Sequence, residues 1–405
     1  MNNKPFFSVV LPTLNRAKYI SFAIQSVLNQ TFEDFELIVS DNSSTDNTEQ
    51  IVKDFSDKRI RYLKTEKTFP MYDSWEFALD HAKGEYITFL GDDDAQSSIY
   101  LESFKEIINK HDARMVCCRI AEYYYKSDSL TTIPFSNKLT AYNSQKAMKD
   151  VFVHNGLCKG EPLSAPNLPL LINAVYHNSV FAQIKNKMGR VNPRILSNDF
   201  YLLVMTLNFT EQYYYLDSPL SFHGASPEST TRSISNKVKG ANLRDTQPEL
   251  ARFSKVPLDI FIPYNFVADA LLTAKSHLDN SLNYLDLDLT GYFVNMHRYI
   301  HALEFEGNNM SDEYKEFSSV LSKQNSQMQK EINSVILGKK NSVKNNLRRK
   351  FHKTVVYRFL RNLRDLVNYN NLLTIEGRKI GFNSITECAK FIDRDFLKKY
   401  QSKVN

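Results

Sequence analysis

The stretch YITFLGDDD, residues 86–94, decides the fold expected for this chain. Its β-branched and aromatic residues predict a buried strand that Gly91 ends. The strand places Asp92, Asp93 and Asp94 at its carboxyl end, the edge where open α/β sheets bind ligands. Adjacent carboxylates repel one another unless water or a cation screens them, and Mg²⁺ and Mn²⁺ prefer carboxylate oxygens. We therefore expect either a metal site or a solvated acidic turn here.

Strand and helix patterns alternate on both sides of this stretch, up to about residue 120. Such alternation implies right-handed βαβ units, and so an α/β fold with a mostly parallel sheet flanked by helices. After Tyr125, prolines indicate a loop-rich stretch, and residues 218–232 also have the composition of a loop. Strands are predicted at residues 8–11 (ended by Pro12), 35–39, 60–63 and 114–118, and helices at 19–28, 48–55, 72–82, 99–110 and 199–207.

The later part of the chain, from about residue 257, has mainly helical patterns, which place a domain boundary near residue 240. The predicted domains are an α/β domain over residues 1–240 and a helical domain over 241–405. A hydrophobic content of 42% and a charged content of 24% are typical of soluble globular proteins. The sequence has no signal peptide, no apolar span of about 20 residues and no CxxC pair, so we expect a cytoplasmic protein.

The net charge of +6 is concentrated in one segment. Residues 338–364 contain ten Lys or Arg and no acid, so the other residues sum to about −4 (6 minus 10). Apolar side chains recur every three or four positions from Val343 to Leu366, which predicts a basic amphipathic helix within residues 338–366. An anionic membrane surface and the protein's own core are equally good partners for it, whereas no recognition motif supports nucleic acid.

Asp41 ends the second predicted strand and so belongs to the same edge of the sheet as the acid cluster. A carboxylate at the tip of a buried parallel strand accepts hydrogen bonds from a ligand, such as a ribose hydroxyl or a base N–H. A turn within the Ser- and Asn-rich residues that follow is the alternative. The nearby Asp46 is expected to cap the next helix.

Four blocks of the sequence occur in a particular order and spacing. They are VVLPTLNR at 9–16, IQSVLNQT at 24–31, FELIVSDNSSTD at 35–46 and KGEYITFLGDDD at 83–94. Together these blocks resemble family 2 glycosyltransferases. The resemblance is close over residues 5–120 and weaker up to residue 232. It implies an inverting enzyme with the GT-A fold, of the kind that acts in bacterial surface polysaccharide synthesis.

The resemblance implies a nucleotide-sugar site and a metal site at the edge of the sheet. It places Asp93 on the usual metal ligand and Asp92 near the ribose or diphosphate, and a late block brings His223 toward the metal or diphosphate. Gly91 departs from the family because the motif commonly begins with an acid there, and residues 68–75 lack the usual Gly and Arg-Asn pair. The predicted nucleotide-sugar residues are Pro12, Thr13, Asn15, Arg16, Asp41 and Asp92, and the predicted metal ligands are Asp93, Asp94 and His223.

The resemblance also implies a carboxylate base near the start of a helix, about 100 residues after the metal motif. The segment SNDF at 197–200 is the best match, with Asn198 in place of the usual first acid, and Asp199 is the predicted base. Such a base must lie within hydrogen-bond distance of the acceptor hydroxyl. A helix cap by Ser197 or Asp199 is the alternative, and the two roles are compatible. Weaker expectations place Arg232 at the diphosphate, and His154, Glu161 and His177 on the acceptor side.

Together these features predict a metal-dependent inverting glycosyltransferase that uses Mn²⁺ or Mg²⁺. The favoured donor is a UDP-sugar, and the acceptor is a glycan or a lipid-linked glycan. A peripheral position at the inner membrane and an oligomeric state are left open. A nucleotidyltransferase is the first alternative, although residues 15–18 after the first strand contain no glycine for a triphosphate loop. A non-catalytic membrane or nucleic-acid adaptor that depends on the basic segment is the second.

Overall fold

Four parallel strands near the N-terminus form the part of the sheet that carries the acid cluster. They are β1 (Phe7–Thr13), β2 (Phe35–Asp41), β3 (Ile60–Lys64) and β4 (Tyr86–Phe89), side by side in the order β3-β2-β1-β4 of the computed structural model. Every residue of β1, β2 and β4 is buried, which explains their near-continuous apolar runs. The predicted connecting helices are confirmed as α1 (Ile20–Leu28), α2 (Thr48–Asp54) and α3 (Met71–Asp80).

The structure describes residues 4–132, 134–158, 168–195, 197–227, 253, 255–278, 282, 285, 287–305, 307–340, 373–376, 384–392 and 397. The basic segment predicted at 338–366 lies outside them from residue 341 onward, so its membrane and packing alternatives stay predictions. Within the described ranges, no helix is both long enough and apolar enough to span a membrane.

Pro12 lies inside β1 and does not end it, contrary to the prediction. The β1–β4 pairing stops at Val10 opposite Phe89, and Leu90 donates its amide to the Val10 carbonyl. Because alternate residues of a strand face the same neighbour, Pro12 points beyond the end of β4. Its missing N–H therefore costs no ladder hydrogen bond, and β1 continues alongside β2 to Thr13, opposite Asp41.

The described residues contain seven further strands, which bring the sheet to eleven. They are β5 (Ala95–Gln96), β6 (Met115–Tyr124), β7 (Ser129–Thr132), β8 (Leu139–Asn143), β9 (Ala174–His177), β10 (Gln212–Gly224) and β11 (Leu373–Glu376). β9 lies antiparallel between β4 and β6, whereas β10 runs parallel to β6 and antiparallel to β5 and β8. The predicted α/β class, with parallel strands at its N-terminal end, is confirmed.

Two stretches predicted as loops are partly regular structure. Residues 218–224 belong to β10, and the region after Tyr125 contains β7, β8 and a helix, α5 (Ser144–His154). β10 has no clear apolar pattern because serines and Pro219 interrupt it. Its pairing with β6 accommodates them through two register shifts, one on each side of Pro219.

The chain divides into two compact units, and this division differs from the predicted domains 1–240 and 241–405. The first unit contains residues 1–148, 165–233 and 374–405, and the second contains 149–164 and 234–373. The last 32 residues (405 minus 373) thus belong to the first unit, because their helix buries its apolar side chains there. Helices α4 (Tyr100–His111), α6 (Asn178–Met188), α7 (Asn198–Asn208) and α12 (Ile385–Phe391) lie in the first unit, and α8 (Pro263–His277), α9 (Leu289–Phe305), α10 (Ser311–Ser322) and α11 (Ser326–Lys340) make the described part of the second mainly helical.

Candidate active site

Asp92, Asp93 and Asp94 lie in a short loop between β4 and β5, residues 91–94, which we call the acid loop. Other elements hold this loop in place. The Asp94 amide donates to the Gly91 carbonyl (3.1 Å), which closes a turn. The Gly224 amide, at the end of β10, donates to Asp94 Oδ1 (2.8 Å), and Ser226 Oγ donates to Asp93 Oδ2 (2.5 Å). Two of the three carboxylates are therefore oriented by residues about 130 positions later in the chain.

Two glycines permit this close packing. A Cβ on Gly224 would lie 1.7 Å from the Asp93 carbonyl oxygen, so no larger residue fits there without moving the acid loop. A Cβ on Gly91 would lie 2.5 Å from Asp94 Oδ2. The departure at Gly91 thus has a structural reason: the Asp94 carboxylate occupies the space that a side chain at position 91 would need.

Burial and mutual repulsion disfavour the charged forms of these acids. Burial, with help from the Asp93 and Asp94 charges, raises the pKa of Asp92 to about 7, although the Arg16 guanidinium opposes the shift. Arg16 Nε lies 3.4 Å from Asp92 Oδ1. Burial and Asp93 also raise the pKa of Asp94 to about 6, with His223 acting in the opposite sense. A cation bound at this loop would therefore stabilise the charged forms of carboxylates that burial and repulsion otherwise disfavour.

The acid loop fits a metal that is shared with a substrate better than a metal held by protein ligands alone. In the described part of the chain, no three His, Cys, Asp or Glu side chains are arranged to hold an ion. The proposed ligand set of Asp93, Asp94 and His223 is therefore not a ready-made cage, and it stays a prediction. Mg²⁺ typically uses only one or two protein carboxylates and completes its shell with waters and substrate phosphates. The buried acids supply that donor chemistry.

Asp41 is at the carboxyl end of β2, as predicted, and its side chain is buried. Its Oδ1 accepts from the Ser44 amide (2.7 Å) and its Oδ2 accepts from the Tyr62 hydroxyl (2.6 Å). Burial and the hydrogen bond to Asp41 raise the pKa of Tyr62, so this hydroxyl keeps its proton and remains a donor. Since Asp41 pairs with Thr13 across the sheet, it lies on the same edge as Arg16 and Asp92.

The loops after β1 and β2 are interlocked through Asn15, which is predicted to bind the nucleotide-sugar, and through Asp46, which is predicted to cap the next helix. Asn15 has a positive φ of 55°, its amide donates to Ser44 Oγ (2.8 Å), and its Oδ1 accepts from the Thr45 amide (2.8 Å). Asp46 Oδ1 accepts from the Thr48 amide at the start of α2, which agrees with its expected capping role, while Oδ2 accepts from the Ala17 amide (3.0 Å). The Asn15 side chain thus shapes the site, and a direct ligand contact by it stays a prediction.

Asn42 is a shaping residue of this edge that sequence reasoning missed. Its side-chain amide donates to the Phe69 carbonyl and accepts from the Phe69 amide, both at 2.8 Å. These bonds fix the loop between β3 and α3 beside Asp41. The only signal in the sequence was its place directly after Asp41, which does not distinguish a clamp from an ordinary turn residue.

Asp199 occupies the first turn of α7, as predicted, and it is the exposed member of the site. Ser197 Oγ donates to Asp199 Oδ1 (2.9 Å). Surrounding protein raises the pKa of Asp199 although the Ser197 hydrogen bond opposes the shift, and the side chain is still accessible to solvent. Among the described contacts, none joins Asp199 to the acid loop.

Asn198 explains why this chain lacks the usual first acid before Asp199. It is 4% exposed, and in the orientation that satisfies its amide, its nitrogen donates to the carbonyls of Pro193 (3.1 Å) and Ile195 (3.0 Å). A carboxylate could not make these two bonds. The preceding residues are fixed in turn by Glu76, which accepts from the amides of Val191 and Asn192. Glu76 of α3 therefore supports the loop that leads to Asp199.

Of the remaining predicted residues, one has a structural role and the side chains of the others lie outside the described part of the chain. His177 is the N-cap residue of α6, and its Nδ1 accepts from the Ser179 amide (3.2 Å). Its ring packs edge-on against Tyr86, and burial lowers the pKa of the imidazole. These contacts give it a structural role. Arg232, Glu161 and the side chain of His154 lie outside the described residues.

The fold and the acid loop define an α/β protein with a cluster of charged side chains at the carboxyl ends of its parallel strands. Residues 8–160 match the family model described as Glycosyl transferase family 2. This match covers the part of the chain in which the four sequence blocks resemble that family.

Two relatives and one solved structure illustrate the similarity. The chain is 39% identical over 110 residues to the GalNAc(5)-diNAcBac-PP-undecaprenol beta-1,3-glucosyltransferase of Campylobacter jejuni, covering 26% of this chain and 35% of that protein. It is 41% identical over 87 residues to the UDP-Glc:alpha-D-GlcNAc-diphosphoundecaprenol beta-1,3-glucosyltransferase WfgD of Escherichia coli, covering 22% and 34%. S. aureus TarS 1-349 in complex with UDP aligns over 82% of this chain and 91% of that chain, with 17% identity and a TM-score of 0.46. The chain thus spans about a third of the length of the two curated relatives.

Proposed function

We propose that this protein is a metal-dependent inverting glycosyltransferase that moves a sugar from a UDP-sugar to a glycan or lipid-linked acceptor. The observation that carries the proposal is the acid loop: three carboxylates fixed at the carboxyl edge of the sheet, with Arg16 and Asp41 on the same edge. The family-model match over residues 8–160 supports glycosyl transfer, and the names of the two relatives specify glucosyltransferases, one of them with UDP-Glc. Both names also specify acceptors linked to undecaprenol through a diphosphate, which supports a lipid-linked acceptor here.

The donor side binds and orients the nucleotide-sugar. Asp93 and Asp94 are the residues that would hold Mn²⁺ or Mg²⁺, which stabilises the charge of the leaving diphosphate when bound. Asp92 is paired with Arg16, and this pair adjoins the space for the diphosphate and ribose. Asp41 lies deeper on the same edge, where its fixed carboxylate suits recognition of the nucleoside.

The acceptor side supplies the base. The acceptor oxygen forms a bond to the anomeric carbon as the bond from that carbon to the diphosphate oxygen breaks, so the configuration inverts. Asp199 takes the proton of the acceptor hydroxyl. Its exposed carboxylate is accessible to an acceptor, and its raised pKa makes it a stronger base than an ordinary aspartate.

Calorimetric titration of the full chain with UDP in Mn²⁺ tests the proposal. We expect binding that weakens without Mn²⁺ and that Asp93→Ala reduces by about 100-fold or more, since even outer-shell partners of a metal contribute about 10–100-fold. Asp34→Ala is the matched control, because Asp34 is an exposed acid just before β2, at the opposite end of the strand from Asp41. Absence of UDP binding by the wild-type protein, or equal binding by Asp93→Ala, would sink the proposal.

A further inference from the structure

The C-terminal helix α12 packs beside the acid loop although it lies almost 300 residues later in the chain. It contacts α1 and β5, and β5 is the strand that directly continues from Asp94. The face of α12 toward the sheet is apolar, and Ile392, directly after the helix, is buried as well. Its buried apolar residues, including the one that follows the helix, are Ile385, Cys388, Ala389 and Ile392.

Two hydrogen bonds fix this segment at both of its ends. Thr386 Oγ1 donates to the Phe22 carbonyl of α1 (2.9 Å), and Ser97 Oγ donates to the Ile392 carbonyl (2.6 Å). Ser97 directly follows β5, and its own amide donates to the Leu220 carbonyl of β10 (2.8 Å). The segment is therefore joined to the strand that leaves the acid loop and to the helix beside it.

Aromatic side chains connect this contact to the backbone of Asp93. The Tyr125 hydroxyl donates to the Asp93 carbonyl (2.8 Å). The Tyr125 ring packs on Tyr19 (4.9 Å between centroids), on Phe22 (6.5 Å) and on Tyr123 (5.1 Å). Phe22 is also the residue whose carbonyl accepts the hydrogen bond from Thr386 of α12. A continuous set of contacts thus runs from α12 through this aromatic cluster (Tyr19, Phe22, Tyr123 and Tyr125) to the acid loop.

We propose that α12 is a positioning element of the donor site, which holds the acid loop in its binding geometry through β5 and the aromatic cluster. The inference rests on the proposed function, because it concerns binding of UDP with Mn²⁺. Residues 91–94 form no helix or strand of their own, so their geometry depends on the elements around them. Displacing such supporting contacts weakens metal sites by about 10–100-fold.

The test is a pair of neighbouring substitutions in the full chain. Ala389 is 1% exposed on the packed face of α12, whereas Lys390 is exposed on the other face. Ala389→Trp should displace the helix and raise the dissociation constant for UDP in Mn²⁺ by about tenfold or more. Lys390→Trp adds the same side chain to the solvent face and should change that constant by less than about twofold. Thermal unfolding of each variant reports whether it remains folded.

If Ala389→Trp does not fold, two milder substitutions at Thr386 test the same inference. Thr386→Val removes the hydroxyl that donates to Phe22 at nearly constant volume, and Thr386→Ser restores a hydroxyl. We expect a several-fold weaker UDP complex for Thr386→Val and rescue by Thr386→Ser. A lowered melting temperature with unchanged UDP affinity, or wild-type affinity in a folded Ala389→Trp protein, would overturn the inference. Neither result touches the proposed function, which fails if the wild-type protein does not bind UDP or if Asp93→Ala binds it equally well.

Discussion

The acid loop and the start of α7 place carboxylates in two opposite settings. Asp93 and Asp94 are fixed by hydrogen bonds from Ser226 and Gly224, far away in the sequence, and Asp94 is only 4% exposed. Asp199 is exposed and receives its side-chain hydrogen bond from Ser197, two residues before it. The first setting suits a binding site of fixed geometry, whereas the second suits a base that must meet an incoming hydroxyl.

The causes of the pKa shifts differ in the same way. In the acid loop, burial and neighbouring carboxylates together raise the pKa values of Asp92 and Asp94, so a cation bound there would relieve the repulsion. At Asp199, no neighbouring charge contributes: desolvation by the surrounding protein raises the pKa of a side chain that solvent still reaches, and the Ser197 hydrogen bond opposes that shift. The charge state of the donor-side acids therefore depends on a bound cation, whereas that of Asp199 depends only on its own proton. Substitutions on one side, with measurements on both, test whether the two sides are independent.

The largest expected effect is that of Asp199→Asn on transfer. Removing the base while keeping the side-chain shape should lower kcat by about 10²–10⁴-fold, the usual contribution of a positioned general base. Binding of UDP in Mn²⁺ should stay within about twofold, because no described contact joins Asp199 to the acid loop. Turnover of a UDP-sugar, measured together with calorimetry of the same preparation, checks both halves.

Asp93→Ala gives the reciprocal result in that experiment, with UDP binding lost. Loss of UDP binding in Asp199→Asn, or near-normal turnover by that variant, would contradict the separation of the two sides. Near-normal turnover would also move the base to another residue.

The sequence predicted the donor side far better than its supports. The strands β1, β2 and β4 are buried apolar runs, so local pattern alone places Asp41 and Asp92 on one edge. Gly224 and Ser226 could not be found, because they act through the end of β10, whose pattern Pro219 interrupts. Helix α12 was assigned to the wrong unit, since seven residues of ordinary composition carry no signal of where they pack.

On the acceptor side, the sequence indicated Asp199 but not the reason for its neighbour. Asn198 was seen only as a departure from the family, and its two bonds to backbone carbonyls depend on a loop that no periodicity describes. In general, residues within one strand or helix were predictable, whereas residues that contact a distant segment were not. The contacts between segments come from tertiary packing, which local propensity does not encode.

A smaller effect should appear in the pH dependence of stability of the metal-free protein. The folded-state pKa values of Asp92 and Asp94, about 7 and about 6, lie above the ordinary value of 3.8. Unfolded chains therefore lose these protons above about pH 4 while the folded protein retains them, so stability falls as pH rises toward 6 and 7. Each group contributes a slope of up to about 1.4 kcal/mol per pH unit.

Urea unfolding in EDTA at about pH 5 and about pH 6 isolates this contribution when wild type is compared with Asp92→Asn. The variant should lose less stability over this interval, by up to about 1.4 kcal/mol, because its amide does not titrate. Asp199→Asn provides the contrast: its exposed carboxylate should change the slope much less. Equal slopes for wild type and Asp92→Asn would show that Asp92 ionises normally in the folded protein.

The smallest effect is expected for Ser197→Ala, which acts on the base without removing it. Ser197 Oγ donates to Asp199 Oδ1 and lowers the pKa of that carboxyl, so its loss should raise the pKa. Because one hydrogen bond contributes about 0.5–1.5 kcal/mol, the acid limb of kcat should move to higher pH by about one unit at most. The Ser197 side chain makes no capping bond to the described amides of α7, so Ala should leave the start of the helix unchanged. At alkaline pH kcat should equal that of wild type, and Ser197→Thr should keep the original limb. An acid limb that does not move would mean that it reports a different group, and the acceptor-side base would then have to be sought elsewhere.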